Sequence, residues 1–382
     1  MTDWPDPERQ RLHGAIAGLI ARLAGGERND AARDALLMEV LAYQVQRVEA
    51  YGRLVRQQRA SHGGVSTGLS SIEGGPAGYP ALPTDVFRYV RVGSFPVSAE
   101  VRCFRTSGTT QGIRGTHVFA DLSLYDQSAY AAARFALFPD VARMRLLVLA
   151  PAAAEVEDSS LSYMLARFGE WFGSAGGAVV FRGGHLQVRE LVAALREAES
   201  ERVPVALLGT SFAFVHAEDA LGAQRFALAP GSRIMQTGGY KGRSREVEPG
   251  ALRQLLVARY GVAPAYLVQE YGMTELSSQL YSSQLRQAFD GGPVAASTAH
   301  SLWVPPWVRV AVVDPETLQP LSAGETGLLR IDDLANLDSV SALQTADLAY
   351  LQADGVVLVG RSPGAVPRGC SLSIEEALGW VE

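Results

Sequence analysis

The sequence predicts an α/β fold, a mainly parallel sheet followed by a smaller antiparallel β region, and three observations predict it. First, from about Val86 short apolar runs alternate with helical patterns. The runs are RLLVLAP (145–151), GGAVVF (176–181), VPVALLG (203–209), SRIMQTG (232–238) and APAYLVQ (263–269), with LQVRELVAALREA and PGALRQLLVARYG among the helices between them. Unbroken Val, Leu and Ile runs between helices are what strands buried on both faces require, and such strands belong to parallel sheets. Second, after Ser301 apolar and polar residues alternate in WVRVAVVDPET, GLLRIDDL and AYLQADGVVLVG, the last with a DG hairpin signal. Third, 382 residues with 47% hydrophobic and 19% charged content suffice for two or three cores of an ordinary globular chain.

The elements follow in order. Leu12, Ile16, Leu19, Ile20 and Leu23 fall on one helical face. A second helix is expected from about Ala31 to Arg59, carrying Leu37, Leu41, Val45, Val48 and Tyr51. The stretch HGGVSTGLSSIEGGPAGYPALP then reads as a long loop. The expected organisation is a helical region with its loop over 1–85 and an α/β core over 86–300. An antiparallel β subdomain over 301–362 and a short tail with Cys370 over 363–382 complete it. The sequence has no internal repeat.

Composition excludes several classes. The net charge of −6 and the lack of a basic stripe argue against nucleic acid as a partner. Cys103 and Cys370 are far apart and lie in no metal-ligand or disulfide pattern. No signal peptide or membrane span is read, so a cytoplasmic location is expected. The basic residues are nearly all arginine, and Lys241 is the single lysine.

Three stretches carry chemistry. RTSGTTQGIRGTH (105–117) offers a tight backbone path through Gly108, Gly112 and Gly115, and hydroxyls from Thr106, Ser107, Thr109 and Thr110. With Arg114 behind it, such a loop can cradle a polyphosphate, although it is not a Walker A loop. QEYGMTELSS (269–278) places Tyr271 as a flat face for a purine, Thr274 as a hydroxyl for phosphate and Glu275 as a hard carboxylate for Mg²⁺. TADLAYLQADGVVLVGRS (345–362) offers Asp347 to ribose hydroxyls, with Arg361 behind it. Read alone, each is equally a solvated loop, a strand-to-loop junction or a hairpin with surface charges.

In combination, TSGTT, the TGG turn at 237–239, YGMTE and TADL…DG…GR resemble the adenylate-forming superfamily of acyl-CoA synthetases and luciferases. The superfamily's phosphate loop reads approximately TSGTTGxPKG; here Gln111 replaces a glycine, Ile113 the proline and Arg114 the lysine. More narrowly, PALPTDVFR before the loop, TGGYKGRSRE in the middle and RGCSLSIEE at the end look like the acyl-protein synthetase (LuxE) family, from about Pro80 onward. That family serves the fatty-acid reductase of bacterial bioluminescence, and relatives activate aromatic acids in phenazine-type pathways. The resemblance implies the large N-terminal domain of the adenylate-forming fold, with parallel αβ subdomains and a small antiparallel region.

It implies a reaction of a carboxylic acid with ATP and Mg²⁺, giving an acyl-adenylate and pyrophosphate. On it, the Thr106–Thr110 loop with Gly108, Thr109 and Arg114 would hold the β- and γ-phosphates. Gly238 and Gly239 would admit adenine, Tyr271 would stack on it, and Gly272 would belong to the same nucleotide-binding set. Thr274 would touch the α-phosphate, Glu275 would hold Mg²⁺, and Asp347 with Arg361 would grip the ribose. Cys370 sits where these synthetases carry the cysteine that takes the acyl group as a thioester; a small buried residue is the alternative. Lys241 could reach a phosphate or a substrate carboxylate, or cap a turn. Cys103 reads as core, and His117 is a light candidate for substrate positioning.

Superfamily members carry a mobile C-terminal domain whose lysine bridges the carboxylate and α-phosphate. Here that domain is expected to be truncated, and no lysine follows Lys241. A coenzyme A ligase is therefore not expected, and transfer to Cys370, a reductase or another acyl-acceptor protein fits better. The acid itself, fatty or aromatic, stays open: Tyr163, Phe168, Trp171 and Phe172 suit an acyl pocket or a helix's core face alike. Two competing readings are a catalytically weak nucleotide-binding scaffold and a serine hydrolase built on GTSFA (209–213), which lacks a full nucleophile elbow.

Overall fold

A computed structural model describes residues 4–61, 75–107, 113–238, 248–292 and 301–362. The chain forms two compact units: 1–131, 273–278 and 304–382 make the first, and 132–272 with 279–303 the second. No helix among the described residues is long and apolar enough to cross a membrane.

The first unit begins with α1 (Pro7–Ala24), α2 (Asp30–Arg47) and α3 (Glu49–Ser61). Asp6 caps α1 by accepting from Arg9 N, and Pro7 enters at the first turn, where its missing N–H costs nothing. The single helix expected over 31–59 is two helices. Val48 is extended (φ −100°, ψ 103°), and α2 ends there with Val48 N donating to Gln44 O. A Cβ on Gly52 would lie 2.6 Å from Val45 O, so the break brings α3 against the end of α2, an approach only glycine admits.

The stretch read as loop ends in a strand. β1 (Leu82–Pro83) pairs in parallel with a later strand of the same unit, and a 3₁₀ turn (Thr84–Arg88) follows it. β2 (Arg102–Arg105) and β3 (Thr116–Phe119) form an antiparallel hairpin, and α4 (Ser123–Ala136) carries the chain into the second unit.

The second unit has the expected parallel sheet. Its elements are β4 (Arg145–Leu149), α5 (Ser160–Phe172), β5 (Ala178–Val179), β6 (Phe181–Arg182), β7 (His185–Leu186), α6 (Val188–Glu201), β8 (Val205–Thr210) and α7 (Ser211–Leu221). β9 (Arg233–Thr237), α8 (Pro249–Tyr260), β10 (Leu267–Tyr271), β11 (Leu280–Ser282) and β12 (Ser301–Trp303) complete it. Strands run in the order β10-β9-β8-β4-β5, all parallel, and β11 and β12 add antiparallel neighbours beyond β10. Leu147, Leu149, Leu207, Ile234 and Leu267 pack with Leu191, Leu195 and Phe214 in one apolar core. Burying each such side chain contributes roughly 1.5–3 kcal/mol, which is why these strands are unbroken apolar runs.

The chain then returns to the first unit with β13 (Val308–Val313), β14 (Gly327–Asp333), β15 (Ala342–Gln352) and β16 (Gly355–Arg361), an antiparallel meander. β15 is the strand that takes β1 on its other side. The expected DG turn is displaced by one residue: Ala353 and Asp354 form the turn, and Gly355 already pairs with Gln352.

The 334–341 connection between β14 and β15 is buried throughout. Gln44 of α2, fully buried, donates to Asn336 O and Leu337 O and accepts from Ser341 N. Arg9 of α1 forms a bidentate pair with Asp338 at 2.6 and 2.7 Å. The N-terminal helices thus fix the connection that holds the next segment in place.

Candidate active site

In the first unit the site is built on three supports. The β2–β3 loop is closed at its base by Thr106 N donating to Gly115 O and Gly115 N donating to Thr106 Oγ1, both at 2.9 Å. Arg114 ties the same base from outside, with Nε on Thr106 O at 2.6 Å and Nη2 on Arg105 O at 3.2 Å. Thr106 and Arg114 therefore spend part of their hydrogen bonding on the loop itself. Ser107 is exposed at its rim, and Gly108, Thr109 and Thr110 lie outside the described residues.

The second support is the Met273–Ser278 turn. Asp333 accepts from Ser277 N, Ser278 N and Ser278 Oγ at 2.7–3.0 Å, and Asn336 Nδ2 donates to Glu275 O at 2.8 Å. His117 Nδ1 lies 2.8 Å from Thr274 O. A carbonyl only accepts, so Nδ1 carries the proton, and burial lowers the imidazole to about 4, leaving it neutral at pH 7. Phe87 and Phe119 pack on the His117 ring at centroid distances of 5.7 and 4.2 Å.

Held this way, the Glu275 side chain turns inward, and its residue is only 7% exposed. A Cβ on Gly115 would lie 3.5 Å from Glu275 Oε1, an ordinary contact distance, so the carboxyl sits against the loop base. Burial raises the Glu275 carboxyl to about 7, opposed by its own backbone N–H and by the charge of Arg361. Among the described residues no cation forms an ion pair with it. A lone hard carboxylate of this kind fits Mg²⁺, which binds through one or two carboxylates together with phosphate oxygens. The described residues hold no cluster of three or more acidic, His or Cys side chains for a metal.

The third support is the β15–β16 pair. Asp347 faces Arg361 in register, their side chains 3.5 Å apart, with Asp347 half-buried and Arg361 exposed. The first unit therefore carries Thr106, Arg114, Thr274, Glu275, Asp347 and Arg361 from three stretches of sequence.

The second unit brings Gly238, Tyr271 and Gly272 to the ends of β9 and β10, which pair up to Thr237↔Glu270. Parallel sheets present ligands with this carboxyl edge. Gly238 has φ +69°, a left-handed turn that suits glycine. Its carbonyl accepts from Ser211 Oγ at 2.6 Å, and Gln236 Nε2 donates to the same hydroxyl at 2.8 Å. Ser211 is thus a buried strut of this turn rather than a hydrolase nucleophile.

Glu270, absent from the sequence expectations, is 4% exposed and takes a hydrogen bond from the Thr237 hydroxyl. Burial raises it to about 7 against that hydrogen bond. A Cβ on Gly272 would lie 2.5 Å from Glu270 Oε1, so the turn after β10 passes directly over this carboxyl.

Gly239, Lys241 and Cys370 lie outside the described residues. Cys103 is half-buried on β2 rather than in the core, which Phe104 occupies instead. Phe168 and Phe172 pack on Phe138, with rings 6.3 and 4.4 Å apart. A cleft of about 390 Å³ on α5 is lined instead by Ser162, Leu165, Ala166 and Gly169, opposite Leu146 and Val148 of β4.

Comparisons with known proteins agree with this architecture. The family model described as acyl-protein synthetase, LuxE, matches residues 27–379. The long-chain-fatty-acid–luciferin-component ligase of Vibrio harveyi is 32% identical over 87 residues, 21% of this chain and 23% of that protein. The ligase of the same name from Aliivibrio fischeri is 21% identical over 366 residues, 91% of this chain and 88% of that protein. Among solved structures, an open conformation of 2-hydroxyisobutyryl-CoA ligase in complex with 2-HIB-AMP and CoA has a TM-score of 0.58 at 15% identity. It covers 87% of this chain and 75% of that one, a likeness of fold, and the fold is that of an adenylate-forming ligase. Matched over nearly its whole length, the chain belongs to the acyl-protein synthetase (LuxE) family of ligases.

Proposed function

We propose that this chain uses ATP to activate a carboxylic acid, a fatty acid in the first instance, and passes the acyl group to a thiol. One oxygen of the acid's carboxylate attacks the α-phosphorus of ATP, and the bond from that phosphorus to the leaving pyrophosphate breaks. A thiolate then attacks the acyl carbon, and the bond to AMP breaks. The observation that carries the reading is the buried Glu275 carboxyl, unpaired with any described cation and set against the base of the hydroxyl-rich loop. Mg²⁺ held by Glu275 would neutralise charge on the phosphates.

The chain's own residues supply the rest. Neutral His117 fixes the carbonyl of Thr274, which orients the Thr274–Glu275 turn. The Thr274 hydroxyl would donate to the α-phosphate, and the loop with Arg114 would hold the β- and γ-phosphates. Asp347 would accept the ribose hydroxyls beside Arg361, and the Gly238 turn with Tyr271 and Gly272 would receive adenine. The names of the Vibrio and Aliivibrio relatives favour a long-chain fatty acid over an aromatic one. Cys370 is the proposed first acceptor, and a reductase or acyl-acceptor protein in the cytoplasm the next.

The test is acid-dependent exchange of pyrophosphate into ATP across fatty and aromatic acids. Exchange is expected with fatty acids, and Glu275→Gln should lower it by about two to three orders of magnitude. Cys370→Ser should keep the exchange and lose acid-derived label on the protein. ATP binding without exchange for any acid would sink the reading and leave a nucleotide-binding scaffold.

A further inference from the structure

The PALPTDVFR segment has no part in the chemistry described so far, yet it is fastened into the first unit at three points. Leu82 and Pro83 pair with Leu343 and Gln344 of β15, upstream of Asp347 on the same strand. Phe87, 1% exposed, stands edge-on to His117 at 5.7 Å, and His117 holds the turn that carries Glu275. Asp85 and Arg88 stand on the same 3₁₀ turn, Arg88 directly after Phe87. Through Phe87 the turn is seated against His117, which holds the Thr274 carbonyl, and through Pro83 it is tied to β15.

Arg88 differs from the other arginines of this unit's site. Arg114 spends Nε and Nη2 on the carbonyls of Thr106 and Arg105. Arg361 is paired with Asp347. Arg88 has one partner among the described residues, Asp85 at 3.2 Å through Nη1, and its side chain is 40% exposed. A guanidinium presents five N–H donors in a planar fork that matches phosphate oxygens two at a time. Most of that fork is open here, while the backbone beneath it is held rigid.

Resting on the function proposed above, we infer that Arg88 is a phosphate-binding residue of this site. It would donate to the pyrophosphoryl group of ATP, with Asp85 steering the guanidinium when the nucleotide is absent. Its place next to Phe87, which packs on the His117 that holds the Thr274–Glu275 turn, suits the β- and γ-phosphates rather than the nucleoside. With one lysine in the whole chain, the cations for a polyphosphate must be mostly arginines.

The experiment is direct nucleotide binding, without any acid, by the full chain as wild type, Arg88→Ala, Arg88→Lys and Asp85→Asn. ATP with Mg²⁺ and AMP are each titrated by calorimetry. Arg88→Ala should weaken ATP at least tenfold and leave AMP within twofold; Arg88→Lys should recover part of the ATP affinity. Asp85→Asn should change ATP affinity much less than Arg88→Ala does. Thermal unfolding of each variant should match wild type, because the side chain is half-exposed and an exposed pair contributes about 0–1 kcal/mol. Equal ATP affinity in wild type and Arg88→Ala overturns the inference alone. An equal loss of ATP and AMP also overturns it, as a general disturbance of the fold. A wild-type chain that binds no ATP overturns both this inference and the proposed function.

Discussion

Glu270→Gln tests the buried carboxyl that the sequence did not announce. Glu270 is the next-to-last residue of β10, with 4% of its surface exposed, and the Thr237 hydroxyl is its hydrogen-bond donor. Burial lifts its titration from the usual 4.5 to about 7. The folded protein therefore keeps this proton over a window in which the unfolded chain has already lost it. The group's contribution to stability is fully present below about 4.5 and is lost as pH rises through about 7. At roughly 1.4 kcal/mol per pH unit, the whole loss is on the order of 3 kcal/mol. The amide introduced by Glu270→Gln is neutral at every pH and can still accept from Thr237. The variant should therefore match wild type at pH 4.5 and exceed it by up to about 3 kcal/mol at pH 8.

The assay is urea unfolding at intervals from pH 4.5 to 8, with the variant's stability subtracted from that of wild type. Subtraction is needed because other groups titrate in the same range. Glu275 is raised to about 7 as well, and Asp333 is raised by its burial. His117 works the other way: lowered to about 4, it contributes stability that is present above 6.5 and lost as pH falls through 4. Parallel stability curves for wild type and Glu270→Gln would refute the reasoning, since they would mean that Glu270 titrates normally and is hydrated in the folded protein.

Two further outcomes concern the supports of the second unit. Arg233 is fully buried and bound bidentately by Asp140 at 2.7 and 2.8 Å, so Asp140→Ala, which leaves a buried guanidinium without its counter-charge, should cost about 3–5 kcal/mol in chemical unfolding. Asp140→Asn should cost less, because the amide oxygen still accepts. Ser211→Ala removes the donor to the Gly238 carbonyl and should cost about 1 kcal/mol, while weakening adenine nucleotides in the calorimetric titration. Unchanged AMP affinity in that variant would detach the Gly238 turn from nucleotide binding.

The parts of this fold that were legible in the sequence are those in which burial leaves a local pattern. Strands covered on both faces, such as RLLVLAP and VPVALLG, must be apolar throughout, and the helices lying between them account for their parallel pairing, though not for their order. The break at Val48 was not legible, because apolar spacing continues across it and its cause is the approach of Gly52 to the Val45 carbonyl. Leu82 and Pro83 read as loop because two residues joining a remote strand leave no period. The tight path read for the β2–β3 loop falls largely on 108–112, outside the described residues, and composition could not reveal that Thr106 and Arg114 close the base of the loop on itself. Nor could it separate the faces of α5, where Phe168 and Phe172 go to the core while Ser162, Ala166 and Gly169 line the cleft.

Glu270 is a different case, because a signal for it existed. Once LVQEY is read as a strand buried on both faces, a carboxylate inside it contradicts the pattern that identified the strand. Such a group needs either a strong partner or a proton. The structure gives it one hydroxyl, and the proton follows. Glu275, also buried, stands five residues later with no ion pair to a described cation. Two glutamates held near neutrality in one stretch, QEYGMTE, weaken the apo fold at physiological pH, and the cost is relieved only by something that brings positive charge or donors. Local rules broken twice within one segment support the proposal that this segment takes part in ligand binding.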